Sequence, residues 1–273
     1  MPHPLSLIKL PVSLLIYLIV NVASAQVYNS SISAATGGTG RAAVEAGDAS
    51  FLNPGILVHL RGRYFFSSVA KDEFAITLSD NTKDSLLPAA LGYVQKKSDT
   101  ALGELKFSDV SLALAEFAVD KIAVGLTGHY YEFKLPEPSY RQVNADLGVI
   151  YTPQSHIGWA LVVYNIFGEN KDIPEAFRPK TSVGGGFNYI YKALIRFRVD
   201  ATSESVFMAG VETYINQFII TRVGYSNDTD DERELWTAGL GFKGPRFALN
   251  YAYQGNPQNS GDYRHSVDLV IPF

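Results

Sequence analysis

The sequence predicts an all-β protein, a transmembrane antiparallel β-barrel of about fourteen strands. Three observations predict this class. The chain begins with a candidate secretory signal, the remainder alternates between apolar and polar residues with a period of two, and many of its 16 Tyr and 16 Phe residues lie near the ends of the alternating runs. Because a strand places successive side chains on opposite sides, such alternation indicates a sheet with one apolar and one polar face.

The N-terminal residues match a signal peptide. Lys9 precedes an apolar run over residues 11–20, and the run ends in Ala23-Ser24-Ala25, a small-residue cleavage site. A single membrane-spanning helix is the alternative, but the run is shorter than the roughly 20 residues that a helix needs to cross a bilayer. We therefore expect residues 1–25 to be a signal peptide that is cleaved after Ala25, and the mature chain to be exported.

Composition excludes several classes of protein. The formal net charge is −4 and no basic run is present, which argues against nucleic acid as a partner. The absence of cysteine excludes a disulfide framework and a lipid anchor at a cleavage-site cysteine. Beyond Ala25 no segment is apolar and long enough for a spanning helix, so membrane residence must come from strands.

Alternation is clearest at the C terminus. Val267, Leu269 and Ile271 fall on one face, and Ser266 and Asp268 fall on the other. Similar runs, separated by turns rich in Gly, Pro, Asn and Asp, extend back to residue 61. The weakest strand predictions are residues 108–119, which also suit a short helix, and residues 157–167, which are apolar on both faces. The extracellular loops are predicted to be short, the longest being residues 80–86 and 227–234.

A membrane barrel has to be distinguished from a soluble β-sandwich, which also alternates. Small and charged residues lie opposite the aliphatic face, as a polar lumen requires, and aromatic residues near strand ends suit the girdles at the two lipid–water boundaries. We therefore predict a location in the bacterial outer membrane, with its lipids as partners. The candidate girdle residues are Tyr64, Phe66, Tyr93, Tyr130, Tyr131, Tyr151, Tyr189, Tyr191, Tyr225 and Tyr253.

A stretch ahead of the first strand carries a family resemblance. Residues 47–57 read Gly-Asp-Ala-Ser-Phe-Leu-Asn-Pro-Gly-Ile-Leu, which resembles the "G-D-A-S … N-P-A-G-L" stretch of the FadL-like outer-membrane family. The matching residues include Gly47, Asp48, Asn53 and Pro54, whereas Gly55 stands where the family usually has alanine. The resemblance implies that residues 26–60 form a hatch inside a barrel of residues 61–273.

The second half is more similar to the PorV/PorQ branch of that superfamily. Its motifs are Val-Asp at 199–200, Ala-Gly-Val-Glu at 209–212, Arg-Val-Gly-Tyr at 222–225, Leu-Asn-Tyr-Ala-Tyr at 249–253 and His-Ser-Val-Asp-Leu at 265–269. The terminal Phe273 resembles the aromatic C terminus read by the outer-membrane assembly machinery, although the neighbouring Pro272 is unusual. The resemblance thus adds that machinery as an expected partner.

Charged residues on the polar face of the last six strands are candidate site residues. An unpaired charge in a narrow lumen is costly, so we expect them to pair with one another or with Glu45 and Asp48 of the hatch. Since both signs are mixed, a network that joins hatch to wall is favoured over a path that selects substrates. These residues are Arg196, Arg198, Asp200, Glu212, Arg222, Arg264 and Asp268.

Motifs for catalysis, cofactors or metals do not stand out. Gly38-x-Gly40-x-x-Ala43 superficially matches a dinucleotide loop, but no βαβ pattern surrounds it. The five histidines are scattered without metal-ligand spacing, and no Gly-x-Ser-x-Gly elbow is present. The sequence therefore predicts no cofactor, no metal and no enzyme activity.

Two functions remain open. The hatch motif favours a FadL-like channel that passes a small hydrophobic molecule, whereas the second-half motifs favour a PorV-like scaffold or shuttle with a protein partner in a secretion or cell-surface machine. A channel requires an apolar pocket that reaches the hatch, and a scaffold requires a packed lumen. The lumen faces are mainly small and charged, which leans away from efficient lipid transport.

Overall fold

The computed structural model describes residues 28–100, 103–136 and 138–273. The predicted signal peptide, residues 1–25, lies outside this part of the chain. The described residues form a closed barrel of fourteen antiparallel strands, in which each strand pairs with its neighbours in sequence and the last strand pairs with the first. The predicted fold class and strand number are therefore confirmed.

The strands are β1 (Gly62–Ala70), β2 (Glu73–Asn81), β3 (Ala89–Thr100), β4 (Gly103–Val119), β5 (Ile122–Lys134), β6 (Ser139–Gln154), β7 (Ile157–Tyr164), β8 (Ser182–Tyr191), β9 (Ile195–Thr202), β10 (Val206–Tyr214), β11 (Ile219–Asp228), β12 (Arg233–Lys243), β13 (Ala248–Gly255) and β14 (Tyr263–Pro272). Residues 108–119, which also suited a helix, belong to β4, and residues 157–164 of the doubly apolar run form β7.

Alternation sorts the side chains of each strand as the sequence predicts. In β14, Val267 is 49% exposed on the outer face, whereas Ser266 and Asp268 are buried towards the lumen. The outer face is apolar around the barrel, with exposed Val143, Trp159 and other large hydrophobic residues on most strands. Such a surface suits lipid and would be unfavourable in water.

Three of the predicted girdle residues are on the wrong face. Tyr64 lies on the same phase of β1 as Phe66 and packs against the buried cluster that includes Leu57 and Leu60. Phe66 and Tyr131 are buried inside the barrel, because each falls on the lumen-facing phase of its strand. Phe66 packs there with Phe51 and Val94. Tyr130, Tyr151, Tyr191 and Tyr253 are exposed on the outside, as the girdle prediction requires.

The barrel has two distinct ends. β1 begins and β14 finishes at one end, here called the termini end; the opposite end is called the loop end. Among the described connections at the loop end, residues 165–181 form the longest, and the others are short, such as 71–72 and 203–205. The longest loops are not those predicted, since residues 82–88 connect β2 to β3 at the termini end and only residues 229–232 join β11 to β12 at the loop end.

Residues 28–60, here called the N-terminal segment, are almost entirely buried. They contain helix α1 (Ser31–Ala35) and a 3-10 helix (Pro54–His59). Helix α1 contacts β11 to β14, and the 3-10 helix contacts β4, β5 and β6, so the segment crosses the barrel interior from one wall to the other. No helix in the described ranges is long and apolar enough to cross a membrane.

Candidate functional site in the barrel lumen

Glycines on the lumen face of the wall make room for the N-terminal segment. At Gly224, an added Cβ would lie 2.3 Å from the backbone of Thr36 and Gly37. At Gly125, it would lie 2.5 Å from the carbonyl carbon of Pro54. Since real Cβ atoms do not approach backbone this closely, only glycine fits at these positions. The glycines that place the segment within 3.0 Å of an added Cβ are Gly92, Gly125, Gly148, Gly158, Gly184, Gly186, Gly210, Gly224 and Gly239.

The Asn53-Pro54-Gly55 turn lies against β5 and β6. Asn53 begins the 3-10 helix, and its side-chain oxygen accepts a hydrogen bond from the backbone N–H of Gly55 at 2.9 Å. Its amide nitrogen donates to the carbonyl oxygen of Arg41 at 2.8 Å. The proline occupies the first helical position, where its missing N–H carries no cost. A Cβ at Gly55 would lie 3.1 Å from the Asn53 side chain, which is closer than most Cβ contacts.

The other two residues of the predicted hatch motif are also buried. An added Cβ at Gly47 would lie 2.3 Å from the Phe66 ring, so Gly47 allows the segment to pack against β1. Asp48 accepts hydrogen bonds from the backbone N–H of Ser30 at 3.1 Å and from its hydroxyl at 3.0 Å. Burial raises the pKa of Asp48 to about 7, and the two Ser30 bonds oppose that rise only in part.

Of the two hatch residues named as possible partners of the charged wall, Asp48 makes no such pair. No ion pair of Asp48 occurs within the described ranges, because its carboxylate faces Ser30 in its own segment. Glu45 supplies the pairing instead. Its Oε1 atom lies 2.7 Å from the guanidinium nitrogens of both Arg196 and Arg198.

The register of three strands builds the centre of the charged wall. Glu212 on β10 stands directly opposite Arg196 on β9 and Arg222 on β11. Its carboxylate lies 2.6 Å from Arg222 Nε and 3.5 Å from Arg198 Nη2. Arg222 also donates to the side-chain oxygen of Asn250 at 3.0 Å. These side chains are almost fully buried, so each charge depends on its partners for stabilisation.

The remaining predicted lumen charges form separate contacts. Asp200 accepts hydrogen bonds from the backbone N–H groups of Gly40 and Arg41, and pairs with the Arg41 guanidinium at 3.2 Å. Asp268 accepts bonds from Ser31, at the start of helix α1. Arg264 pairs with Glu73 of β2 at 2.6 Å. The seven residues thus lie in four groups rather than in one network. Each group contacts the N-terminal segment, and Arg264 does so by donating to the carbonyl oxygen of Asn29 at 3.4 Å.

Phe273 lies apart from the lumen, at the termini end. Its side chain is 68% exposed, and its backbone N–H donates to the carbonyl oxygen of Arg63 at 3.1 Å. An exposed terminal aromatic side chain leaves the ring accessible to a partner.

A buried histidine between two carboxylates was missed from sequence. His129 Nδ1 lies 3.0 Å from Asp109 Oδ2, and His129 Nε2 lies 3.1 Å from Asp146 Oδ2. The three residues occupy β4, β5 and β6. Each of the three lies on the polar phase of its run, and this could be detected in the sequence. Their contact depends on the register between strands, which the spacing of residues in the sequence does not give.

An aromatic pocket adjoins this histidine. It lies between the N-terminal segment and the wall, close to loop 165–181 at the loop end, with a volume of about 40 Å³. Wider polar space opens beside it at the loop end, about 170 Å³, and a cavity of about 480 Å³ lies on the other side of the segment, at the termini end. The aromatic side chains of the pocket are Tyr28, Phe51, Phe107, Tyr131 and Tyr164.

Comparisons with known proteins bear on the fold. No protein-family model matches the chain, and no curated protein matches its sequence. Solved structures are similar in fold. The toluene transporter TbuX of Ralstonia pickettii matches with a TM-score of 0.67 and 14% identity, over 89% of this chain and 97% of that one.

Two further structures give the same result. A FadL homologue of Pseudomonas aeruginosa matches with a TM-score of 0.69 and 10% identity, covering 90% of this chain and 98% of that one. The CymD monoaromatic hydrocarbon channel matches with a TM-score of 0.65 and 12% identity, covering 89% and 97%. At such identities the likeness shows a shared barrel fold.

Proposed function

We propose that this protein is a FadL-like β-barrel of the bacterial outer membrane that transports small hydrophobic molecules. The aromatic pocket against the N-terminal segment is the observation that carries the proposal, because aromatic walls bind apolar molecules and this pocket adjoins the loop end. The apolar outer face of the barrel supports a place in lipid. The fold is shared with proteins described as toluene and monoaromatic hydrocarbon channels.

In this proposal, residues 26–60 act as the hatch and residues 61–273 as the barrel. The lumen glycines hold the segment so closely that a molecule leaving the pocket must move part of the hatch or pass through the wall. Residues 1–25 direct export, and Phe273 binds the outer-membrane assembly machinery. No chemical step is required of the chain, which acts as a transporter rather than an enzyme.

Uptake of radiolabelled toluene by cells that express the protein tests this function. Val94 lines the pocket on β3, and Val94→Phe should fill it and reduce uptake about tenfold relative to the parent. Leu91 lies on the outer face of the same strand, 53% exposed, and Leu91→Phe is the matched control. Equal uptake by the parent, by both variants and by cells without the protein would reject the proposal.

A PorV-like scaffold or shuttle is the second candidate, and the size of the pocket favours it. The pocket measures about 40 Å³ as it stands. A cavity of about 150 Å³ is known to bind benzene, so an aromatic molecule requires the pocket to widen. A stoichiometric protein partner that co-purifies with the barrel, together with unchanged toluene uptake, would favour the scaffold.

A further inference from the structure

The longest described connection of the loop end, residues 165–181, is folded down onto the barrel. Ile173 and Phe177 are buried against Leu105, Tyr131 and Phe133 of β4 and β5. Pro179 of the same loop and Asn165 at its start line the aromatic pocket. The loop therefore covers the pocket from the loop end.

Asn165 ties the two ends of this loop together. Its side-chain nitrogen donates to the carbonyl oxygen of Lys180 at 3.1 Å, and the Thr181 hydroxyl donates to the Asn165 carbonyl oxygen at 2.8 Å. Tyr131 donates from its hydroxyl to the Asn165 side-chain oxygen at 3.2 Å. The φ of Asn165 is +54°, a left-handed conformation that asparagine adopts more readily than most residues.

The same residue is bound to the buried histidine cluster. The backbone N–H of Asn165 donates to Asp146 Oδ1 at 2.8 Å, while Asp146 Oδ2 faces His129 Nε2. His129 Nδ1 faces Asp109, so each ring nitrogen lies within hydrogen-bonding distance of a carboxyl group. One imidazole ring thus bridges two buried carboxyl groups, and one of these carboxyl groups binds the loop.

We infer that Asp109, His129 and Asp146 form a clasp that holds loop 165–181 closed over the aromatic pocket, and that release of this loop admits molecules to the pocket. Buried polar groups of this kind depend on every partner, so the loss of Asp146 removes both a partner of His129 and the acceptor for the loop. With the loop closed, the pocket is also too small for an aromatic ring, so entry of such a ring requires the loop to move. Only the identity of the entering molecule rests on the proposed function.

The chain contains no cysteine, so one introduced thiol reports on the pocket without interference. Val94 is 1% exposed and lines the pocket, and Val94→Cys is therefore the reporter. The rate at which a small neutral maleimide labels this thiol is measured on the full-length protein in detergent. The assay needs no substrate, so failure of toluene uptake and failure of the clasp are separate results.

Two variants on the Val94→Cys background open the clasp at different points. Asp146→Ala removes the acceptor for both His129 and the loop. Asn165→Gly keeps the backbone N–H and tolerates the positive φ, but removes the side-chain bonds that close the loop. Asp262→Asn is the matched control, because Asp262 pairs with Arg233 at 2.7 Å in another loop of the same end.

Labelling of the reporter alone should be slow, and about tenfold faster in Asp146→Ala and in Asn165→Gly, with no change in Asp262→Asn. If Asp146→Ala does not fold, judged by heat-dependent gel mobility, Asn165→Gly decides the matter alone. Rapid labelling of the reporter without further changes would overturn the clasp. So would unchanged labelling in Asn165→Gly, or equal acceleration in the control.

Discussion

The two walls of the barrel hold the N-terminal segment by different means. Against β9 the contacts are charged, with Arg41 bound to Asp200 and Glu45 bound to Arg196 and Arg198. Against β5 and β6 the contacts are steric, with the Asn53-Pro54-Gly55 turn seated on Gly125 and Gly148. Ion pairs thus fix the segment at β9, whereas close packing fixes it at β5 and β6.

This difference indicates which changes each side tolerates. Charged contacts in a region of low dielectric fail when a partner is removed, because the remaining charge stays buried without compensation. Close backbone contacts fail when atoms are added, because the glycine sites have no space for a Cβ. Removal of a charge should therefore weaken the charged contacts, and addition of a methyl group should weaken the close backbone contacts.

The largest expected effect is on the charged side, at Glu212→Ala. The change leaves Arg196, Arg198 and Arg222 with fewer partners in the buried wall, and we expect a loss of about 3–5 kcal/mol in unfolding free energy. Heat-dependent gel mobility and denaturant unfolding in detergent measure it.

Glu132→Ala is the control for that change. Glu132 also contacts two cations, Lys134 and Arg141, but outside the buried wall, where water screens the charges. We expect little change from it. Equal stability losses in both variants would contradict a special role for the buried wall.

A smaller effect is expected on the steric side, at Gly125→Ala. The added Cβ would lie 2.5 Å from Pro54 and 2.6 Å from Gly55 N, and the required shift should cost about 1–3 kcal/mol in unfolding free energy. On the same strand, an added Cβ at Gly128 meets no atom within 4 Å, so the control Gly128→Ala should leave the unfolding free energy unchanged. Equal unfolding free energies in the two variants would contradict the close contact between the turn and Gly125.

A change in pH dependence is expected at Asp48→Asn. The raised pKa of Asp48, about 7, means that the folded state keeps a proton that the unfolded state releases near pH 4. The contribution of Asp48 to stability should therefore be greatest below about pH 4 and should fall as the pH rises towards 7, by at most about 1.4 kcal/mol per pH unit. Asp48→Asn should flatten that fall in denaturant titrations between pH 5 and pH 8, and an unchanged slope would exclude Asp48 as its source.

The fold and the charged wall could be predicted because alternation identifies the lumen face of each strand. Arg196, Glu212 and Arg222 were placed in the lumen by period alone, and register then brings them together. The contact between His129 and the two aspartates was missed, because a shift of register changes every cross-strand partner. The lumen glycines that contact the N-terminal segment were also missed. A lumen glycine occupies the same place in the alternating sequence pattern whether it faces water or another backbone.

Loop 165–181 shows a further limit of sequence. Its Gly168-Glu-Asn-Lys171 stretch predicts a turn, but the cover over the pocket arises from contacts of Ile173 and Phe177 with distant strands. These two apolar residues in a polar loop are the signal that points to packing. Their partners on β4 and β5 become evident only once the barrel is closed.

Native mass spectrometry of the protein, purified from outer membranes in mild detergent and incubated with toluene, tests the proposed function most directly. We expect one small hydrophobic molecule bound per barrel in the parent and in Leu91→Phe, and none in Val94→Phe, because Val94 lines the aromatic pocket and Leu91 lies on the outer face. A parent that stays empty at saturating toluene while a protein partner co-purifies in equal amount would contradict the transporter and favour the scaffold.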